Sequence, residues 1–252
     1  MNIAVVTLFP ELIAAVGASG MPRVAVESGA LALTMISPRD FATNRHRTVD
    51  DRPFGGGPGM LLMAQTLAEA IESARQSLPG ENSGARVVYL SPQGQRLDRG
   101  KVETLSALSD LILVCGRYEG IDQRILESMV DEQISIGDYV LSGGELGAMV
   151  IIDAIARRLP GVLGDAQSVV QDSFETNLLD HPHYTRPEVW RGLEIPAVLR
   201  SGNHAAIEQW RAQQRISGTA RARPDLFYEY GVDERSRALL TSAWQHVDET
   251  ND

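Results

Sequence analysis

The chain has 252 residues, 43 % hydrophobic and 22 % charged, with a formal net charge of −10. That length predicts one large domain, or a medium one and a small one, around a buried core, and the composition excludes wholesale disorder. No apolar run approaches the roughly 20 residues of a membrane helix, no basic stretch precedes the first apolar run, and Cys115 is the sole cysteine. A membrane span, a secretory signal, an internal disulfide and a cysteine-based zinc centre are therefore not expected, and a cytoplasmic protein is.

In chain order, residues 2–9 (NIAVVTLF) form a short apolar run stopped by Pro10 and predict a buried strand. ALALTMI predicts a second strand. Residues 39–51 are polar and loop-like, and RPFGGGPGM is the strongest loop signal in the chain. The stretch from Met60 to Leu78 has helical periodicity and ends at Pro79-Gly80. Three similar units follow. RVVYL runs into SPQG; DLILV runs into CGRYEG with a helix behind it; EQISI runs into GDYVLSGGE with LGAMVIIDAIARRL as a helix behind it. Strands separated by helices predict a parallel α/β sheet, whose ligands bind at the carboxyl ends of the strands.

Periodicity stops at Pro160-Gly161, and the chain divides into 1–163, a linker at 164–178, and a small helical domain at 179–252. The last part holds Trp190, Trp210 and Trp244. From His181 to Arg223, Arg186, Arg191, Arg200, Arg211, Arg215, Arg221 and Arg223 face only Glu188, Glu194 and Glu208, a local basic excess in an acidic chain whose sign reverses from Asp225 onward. The overall acidity argues against indiscriminate coating of nucleic acid but leaves room for such a patch.

The motifs narrow the chemistry. GGGPG at 55–59 is followed by Met60-Leu61 instead of the Lys-Ser/Thr of a phosphate loop, which excludes that class of nucleotide hydrolysis. No GxGxxG follows the first strand, which disfavours a dinucleotide fold. What remains at 55–59 is either a plain loop or a backbone surface that a flat ligand approaches closely. SPQG, GRYEG and GDYVLSGGE place many backbone N–H and C=O groups at one sheet edge, and Gly143-Gly144 opens a helix whose first N–H groups can face a carboxylate. Arg157 and Arg158 close that helix, where basic residues favour the dipole. Asp172 with Glu175 reads as a capping-box start for a helix over FETNLL. The alternating pair His181 and His183 lacks the context of a metal motif, and no metal site is expected. Cys115 reads as core.

DDRPFGGGPGM, YLSPQG, LVCGRYEGID, SIGDYVLSGGE, DSF and LLDHPHYTRPEVWRG occur in this order. In them the chain resembles the bacterial tRNA (guanine-37-N1)-methyltransferases of the knotted SPOUT superfamily, from the first strand to about Arg223. The resemblance implies an α/β fold with a parallel sheet and a deep trefoil knot, then a small α-helical domain joined by a flexible linker. It implies S-adenosylmethionine held by three loops: Tyr89, Leu90, Ser91, Pro92 and Gly94; Gly116, Tyr118, Glu119 and Gly120; and Ser135, Ile136, Gly137, Asp138, Tyr139, Val140, Leu141, Gly143 and Gly144. It implies a homodimer with the active site across the subunit interface, and no DNA or membrane partner.

By the same resemblance Asp172 is the base that removes the proton from guanine N1, and Arg157 stabilises charge on O6. Mg²⁺ is implied as a further cofactor, with no recognisable site. Asp50, Arg52, Gly55, Gly56, Gly57, Gly59, His183, Arg186, His204, Trp210 and Arg211 are implied to contact the tRNA or its target guanine. Two departures stand out: Gly147 occupies a position where family members usually carry Pro, and Gln213, Gly218 and Ala220 dilute a basic stretch after Trp210.

Overall fold

The computed structural model describes residues 1–79, 84–164 and 172–230. The chain divides into two compact units, Met1–Gly164 and Asp165–Asp252. The expected linker falls partly on 165–171, and the end of the expected helical domain on 231–252; both stretches lie outside the described residues.

The first unit is built on β1 (Asn2–Val6), β2 (Ala32–Ile36), β5 (Arg86–Arg96), β6 (Asp110–Cys115) and β7 (Glu132–Ser135). These form one sheet in the order β2-β1-β6-β5-β7, every pair parallel. The apolar runs behave as two-sided strands do. In β1 and β6, Ile3, Val5, Leu111 and Leu113 point into one core, while Ala4, Val6, Ile112 and Val114 point into another. Helices α1 (Pro10–Gly17), α2 (Gly20–Glu27), α4 (Arg99–Ser106) and α6 (Glu145–Ala156) contribute Ile13, Ala25, Leu105 and Ile151 to the first core. Helices α3 (Ala64–Ser77) and α5 (Gln123–Met129) contribute Leu67, Ile71 and Ile125 to the second. The predicted parallel α/β architecture is therefore present, as a three-layer sandwich.

Several local expectations are revised. Pro10 ends no strand; it is the first residue of α1, where its missing N–H costs nothing. The strand before SPQG resumes after it. Leu90 and Gln95 both pair with Ile134, so Ser91–Gly94 stand out of the ladder as a bulge. Gly94 lies against the β7 backbone so closely that a Cβ there would collide with Gln133 and Ile134. Two short strands, β3 (Asp50–Asp51) and β4 (Leu61–Leu62), pair antiparallel at the base of the glycine-rich loop.

In the second unit FETNLL is not a helix. Its residues form turns closed by Phe174 N–H to Leu178 O (2.7 Å) and Asn177 N–H to Phe174 O (3.2 Å), with Phe174 and Asn177 at positive φ. The unit is not purely helical either. A hairpin of β8 (Val189–Trp190) and β9 (Leu193–Glu194) precedes the 19-residue helix α7 (His204–Ala222) and the short α8 (Asp225–Tyr230). Asn203 caps α7 by accepting from Ala206 N–H. Among the described residues, no helix is long and apolar enough to cross a membrane.

One buried carboxylate ties the sheet edge together. Glu145, the first residue of α6, is 1 % exposed. Its Oε1 accepts from the Thr7 hydroxyl just past β1 (2.9 Å), and its Oε2 lies 3.0 Å from Nη2 of Arg117, just past β6. Thr7 Oγ1 in turn accepts from Phe9 N–H, and the Arg117 guanidinium lies 4.2 Å over the Phe9 ring and donates to Ser142 O. A buried pair is costly to break from one side, because the partner charge stays behind without water. Glu145→Ala is expected to destabilise the chain by about 3–5 kcal/mol, read as a lower urea midpoint at unchanged m-value.

Candidate cofactor cavity at the carboxyl edge of the sheet

Past the ends of β5, β6 and β7, three loops enclose a cavity of about 440 Å³, within the size range of small-molecule sites. The first loop is the Ser91–Gly94 bulge. The second, 116–120, turns back through Tyr118 and Gly120, both at positive φ. The third, 136–144, delivers the chain to α6. The second and third are stitched together by a bridge between Arg117 and Gly143 and by Gly144 N–H to Gly116 O (3.0 Å). Gly144 is packed so tightly that an added Cβ would lie 2.8 Å from Cys115 Cα and 3.1 Å from Leu90 Cβ.

Of the residues expected to hold a cofactor, Tyr89, Leu90, Ser91, Pro92, Gly116, Tyr118, Glu119, Gly120, Ser135, Ile136, Gly137, Tyr139, Val140, Leu141, Gly143 and Gly144 line this one cavity. Gly94 and Asp138 do not: Gly94 is spent on the crossing with β7. The wall also includes Gln93, Arg117 and Ser142, which lie within the three loops, and Ile121, Gln123, Leu126, Ile134 and Gly147, which the sequence reading did not place there. Arg117 and Ser142 sat inside motifs already singled out; Gln123 and Leu126 come from α5, whose face toward the loops no local pattern marks.

The cavity's chemistry is that of backbone groups, apolar side chains and few charges. Burial pushes the Tyr89 phenol above its ordinary range, helped by Cys115, so it stays neutral. Burial and the nearby Glu145 push the Cys115 thiol well up against the opposing pull of Arg117, which makes it inert. Glu119 is exposed and carries the carboxylate at the rim. The N-terminus of α6 is less open than the sequence suggests. Gly144 N–H is used by Gly116 O, and Glu145 already places a negative charge there.

The glycine-rich loop reaches the same edge. Glu119 N–H donates to Met60 O (2.9 Å), Leu62 N–H donates to Gly120 O (3.1 Å), and the Tyr118 hydroxyl donates to Asp50 Oδ1 (3.4 Å). Gly59 packs against the Glu119 side chain. Gly55, Gly56 and Gly57 are exposed at positive φ, with nothing within 4 Å of where a Cβ would be. Arg52 is exposed beside them. Arg157 caps α6 at its C-terminus, exposed, at the far end of the helix that starts in the cavity wall.

Asp172 belongs to the second unit and is half-buried in the 172–178 turns, its C=O accepting from Glu175 N–H. In that unit His183 donates through Nε2 to Asp180 Oδ2 (2.9 Å), and Arg215 Nε lies 3.3 Å from Asp180 Oδ1. Burial works to raise the Asp180 pKa. The hydrogen bond from His183, the His181 backbone N–H and charge, and Arg215 outweigh it and hold the carboxyl below its ordinary range. Trp210 stacks loosely with His181 and Tyr184, ring centroids 6.3 Å away in each case. Arg186 and His204 are exposed. Arg211 pairs with Glu208, and Arg200 with Glu188 and Glu194, so part of the basic excess is neutralised locally.

Comparison with known proteins agrees with the motif order. The family model for tRNA (Guanine-1)-methyltransferase TrmD matches residues 1–229. Curated proteins named tRNA (guanine-N(1)-)-methyltransferase from Salmonella newport (strain SL254) and Salmonella typhimurium (strain LT2) are each 54 % identical over 240 residues, covering 95 % of this chain and 93 % of the relative. The chain belongs to the tRNA (guanine-N1)-methyltransferase family and is an enzyme of that class.

Proposed function

We propose that the enzyme transfers the methyl group of S-adenosylmethionine to N1 of guanosine 37, just 3′ of the tRNA anticodon. The observation that carries this reading is the convergence of three loops on one cavity whose rim also receives the glycine-rich loop, so a flat cofactor and a flat base have adjoining seats. The cavity suits the cofactor. Backbone groups of the three loops are placed to meet an adenine edge, Leu90, Ile136 and Leu141 offer an apolar slot, and the Glu119 carboxylate complements a cationic sulfonium or amine. When bound, S-adenosylmethionine supplies an electrophilic methyl with its leaving group already in place.

The chain's own residues handle the proton and the charge. Neutral guanine N1 carries a proton and no free lone pair. Asp172 takes that proton. Removing that proton would free the N1 lone pair to accept the methyl that bound S-adenosylmethionine would supply, the bonding electrons leaving with its sulfur. Negative charge developing on O6 is held by the Arg157 guanidinium, which keeps its own proton. No covalent enzyme intermediate is required. The target base leaves its stack to enter the site. Asp50, Arg52 and Gly55–Gly59 meet it, while His183, Arg186, His204, Trp210 and Arg211 meet the tRNA.

The active form is a homodimer in which Asp172 of one protomer serves the cavity of its partner, and the cofactor loops belong to a trefoil knot. The apolar side chains of Tyr139, Val140, Leu146 and Val150 stand exposed on the third loop and α6, Val140 by 86 %, which supports a second copy covering them. The bulge at Ser91–Gly94, crossed by β7, and the wedge of Gly144 between Leu90 and Cys115 support the knot. The place of action is the cytoplasm. The cluster of three candidate ligands found among the described residues, Asp180, His181 and His183, does not favour Mg²⁺. That ion is usually held by one or two carboxylates and several waters, whereas the cluster is nitrogen-rich. No step is derived through it.

Incubation with methyl-labelled S-adenosylmethionine and two tRNA transcripts, differing only in guanosine or adenosine at position 37, is expected to label N1 of that guanosine alone. Label elsewhere, or none with the cofactor bound, overturns the assignment. Asp172→Asn is expected to keep cofactor binding by calorimetry and to lose turnover by roughly 10²–10⁴-fold; near-normal rates remove Asp172 as the base. Light scattering at micromolar concentration is expected to give a dimer mass, and an active monomer contradicts the shared site.

A further inference from the structure

We propose that Asp180, His181 and His183 form a site for a divalent first-row transition ion, with Zn²⁺ the best fit. One ligand atom from each residue lies within 4.8 Å of the other two. Around a tetrahedral ion with ligand bonds of about 2.0–2.1 Å, ligand atoms sit roughly 3.3 Å apart, so small side-chain rotations close the site.

The polarity of the cluster is what points to a cation. His181 is buried, and its Nδ1 lies 3.2 Å from Pro182 O, an atom that only accepts. Nδ1 is therefore a donor, and Nε2 is the ring atom turned toward Asp180 Oδ1, 3.8 Å away. That separation is too long for a hydrogen bond and leaves room for an ion between the two atoms. His183 brings a second imidazole to the other oxygen of the same carboxylate, with the two rings 4.4 Å apart. An ion would replace the Nε2 proton of His183, which moves to the other ring nitrogen.

The surroundings are those of a supported site. Metal-binding histidines usually donate their second nitrogen to a carbonyl, and metal-binding carboxylates are themselves hydrogen-bonded. Here Pro182 O receives His181, and Asp180 Oδ1 accepts from the His181 backbone N–H (2.7 Å) and from Arg215 Nε (3.3 Å). The segment is pinned: Leu179 N–H donates to the hydroxyl of Thr219, itself fully buried on α7, and Asp180 N–H donates to Ser173 Oγ. Two imidazoles and one carboxylate select Zn²⁺, Co²⁺ or Ni²⁺ over Mg²⁺.

The test uses the untagged full-length chain, stripped with chelator and titrated with Co²⁺. The wild type is expected to develop the visible absorption of low-symmetry cobalt, to lose it on adding Zn²⁺ and to keep it on adding Mg²⁺. His183→Ala, at an exposed position, and His181→Phe, which refills the buried space, are each expected to abolish the band while far-UV circular dichroism stays native. Absence of a band in the wild type, or its survival in His183→Ala, overturns the proposal. Should His181→Phe fail to fold, the His183→Ala comparison still decides it.

Discussion

The carboxylate of Glu145 is the point on which the cavity depends. A buried charge is tolerated only with partners, and its two partners here, Thr7 after β1 and Arg117 after β6, bring the ends of two strands to the start of α6. The constraint acts in both directions. The carboxylate requires these groups to converge, and their convergence sets where the second and third loops stand. Arg117 Nε and Glu145 Oε2 have no well-directed hydrogen bond, so the contact between them is mainly one of charge. Such a pair adds little net stability over an apolar substitute but excludes arrangements that would leave either charge alone. Gly143 and Gly144 complete the arrangement by letting the backbone pass where any side chain would strike Arg117, Leu90 or Cys115.

Much of the first unit was legible because parallel strands buried on both faces appear as near-continuous apolar runs. β1, β5 and β6 were marked by such runs, the edge strands β2 and β7 less clearly, and the glycine- and proline-bearing segments after β5, β6 and β7 held most of the cavity wall. What was missed follows physical lines. Pro10 looks like a strand terminator and is equally a helix initiator, so α1 was passed over. The resumption of β5 after Ser91–Gly94 depends on pairing of Gln95 and Arg96 with Ile134 and Ser135 of β7, 39 residues away in the chain, which no local window contains. The capping signal at Asp172 and Glu175 was overridden by turns with positive φ. Glu145 was read only as the last residue of the GDYVLSGGE loop, because its two partners lie far from it in sequence. The two histidines were set aside because local spacing omits Asp180 and the ring orientation that Pro182 imposes.

Charge is distributed against the simplest expectation. The chain is acidic overall, and the arginine-rich segment spends part of its excess on its own glutamates and on Asp180 and Asp225. Arg191 lies over the exposed indole of Trp190, 4.7 Å from the ring centroid, which leaves a flat cationic–aromatic surface on the β8–β9 hairpin. Association with a polyanion through such a surface has a small electrostatic footprint, and its affinity falls less steeply with salt than that of a protein whose whole face is basic.

Gly55, Gly56 and Gly57 stand exposed with nothing within 4 Å of where a Cβ would be, while Gly59 and Met60 behind them are tied to the 116–120 loop. Closing such a segment over a ligand carries an ordering cost of about 1–2 kcal/mol per residue, more for glycine than for other residues. A base presented alone has little contact area with which to offset that cost. A base presented by a large molecule already anchored elsewhere meets it as an intramolecular event, at high effective concentration. In the proposed function the triple glycine therefore acts as a threshold: it makes a seat for the base responsive to the size and shape of what carries the base, and lets selectivity arise from hesitation to close as much as from contact with the base itself.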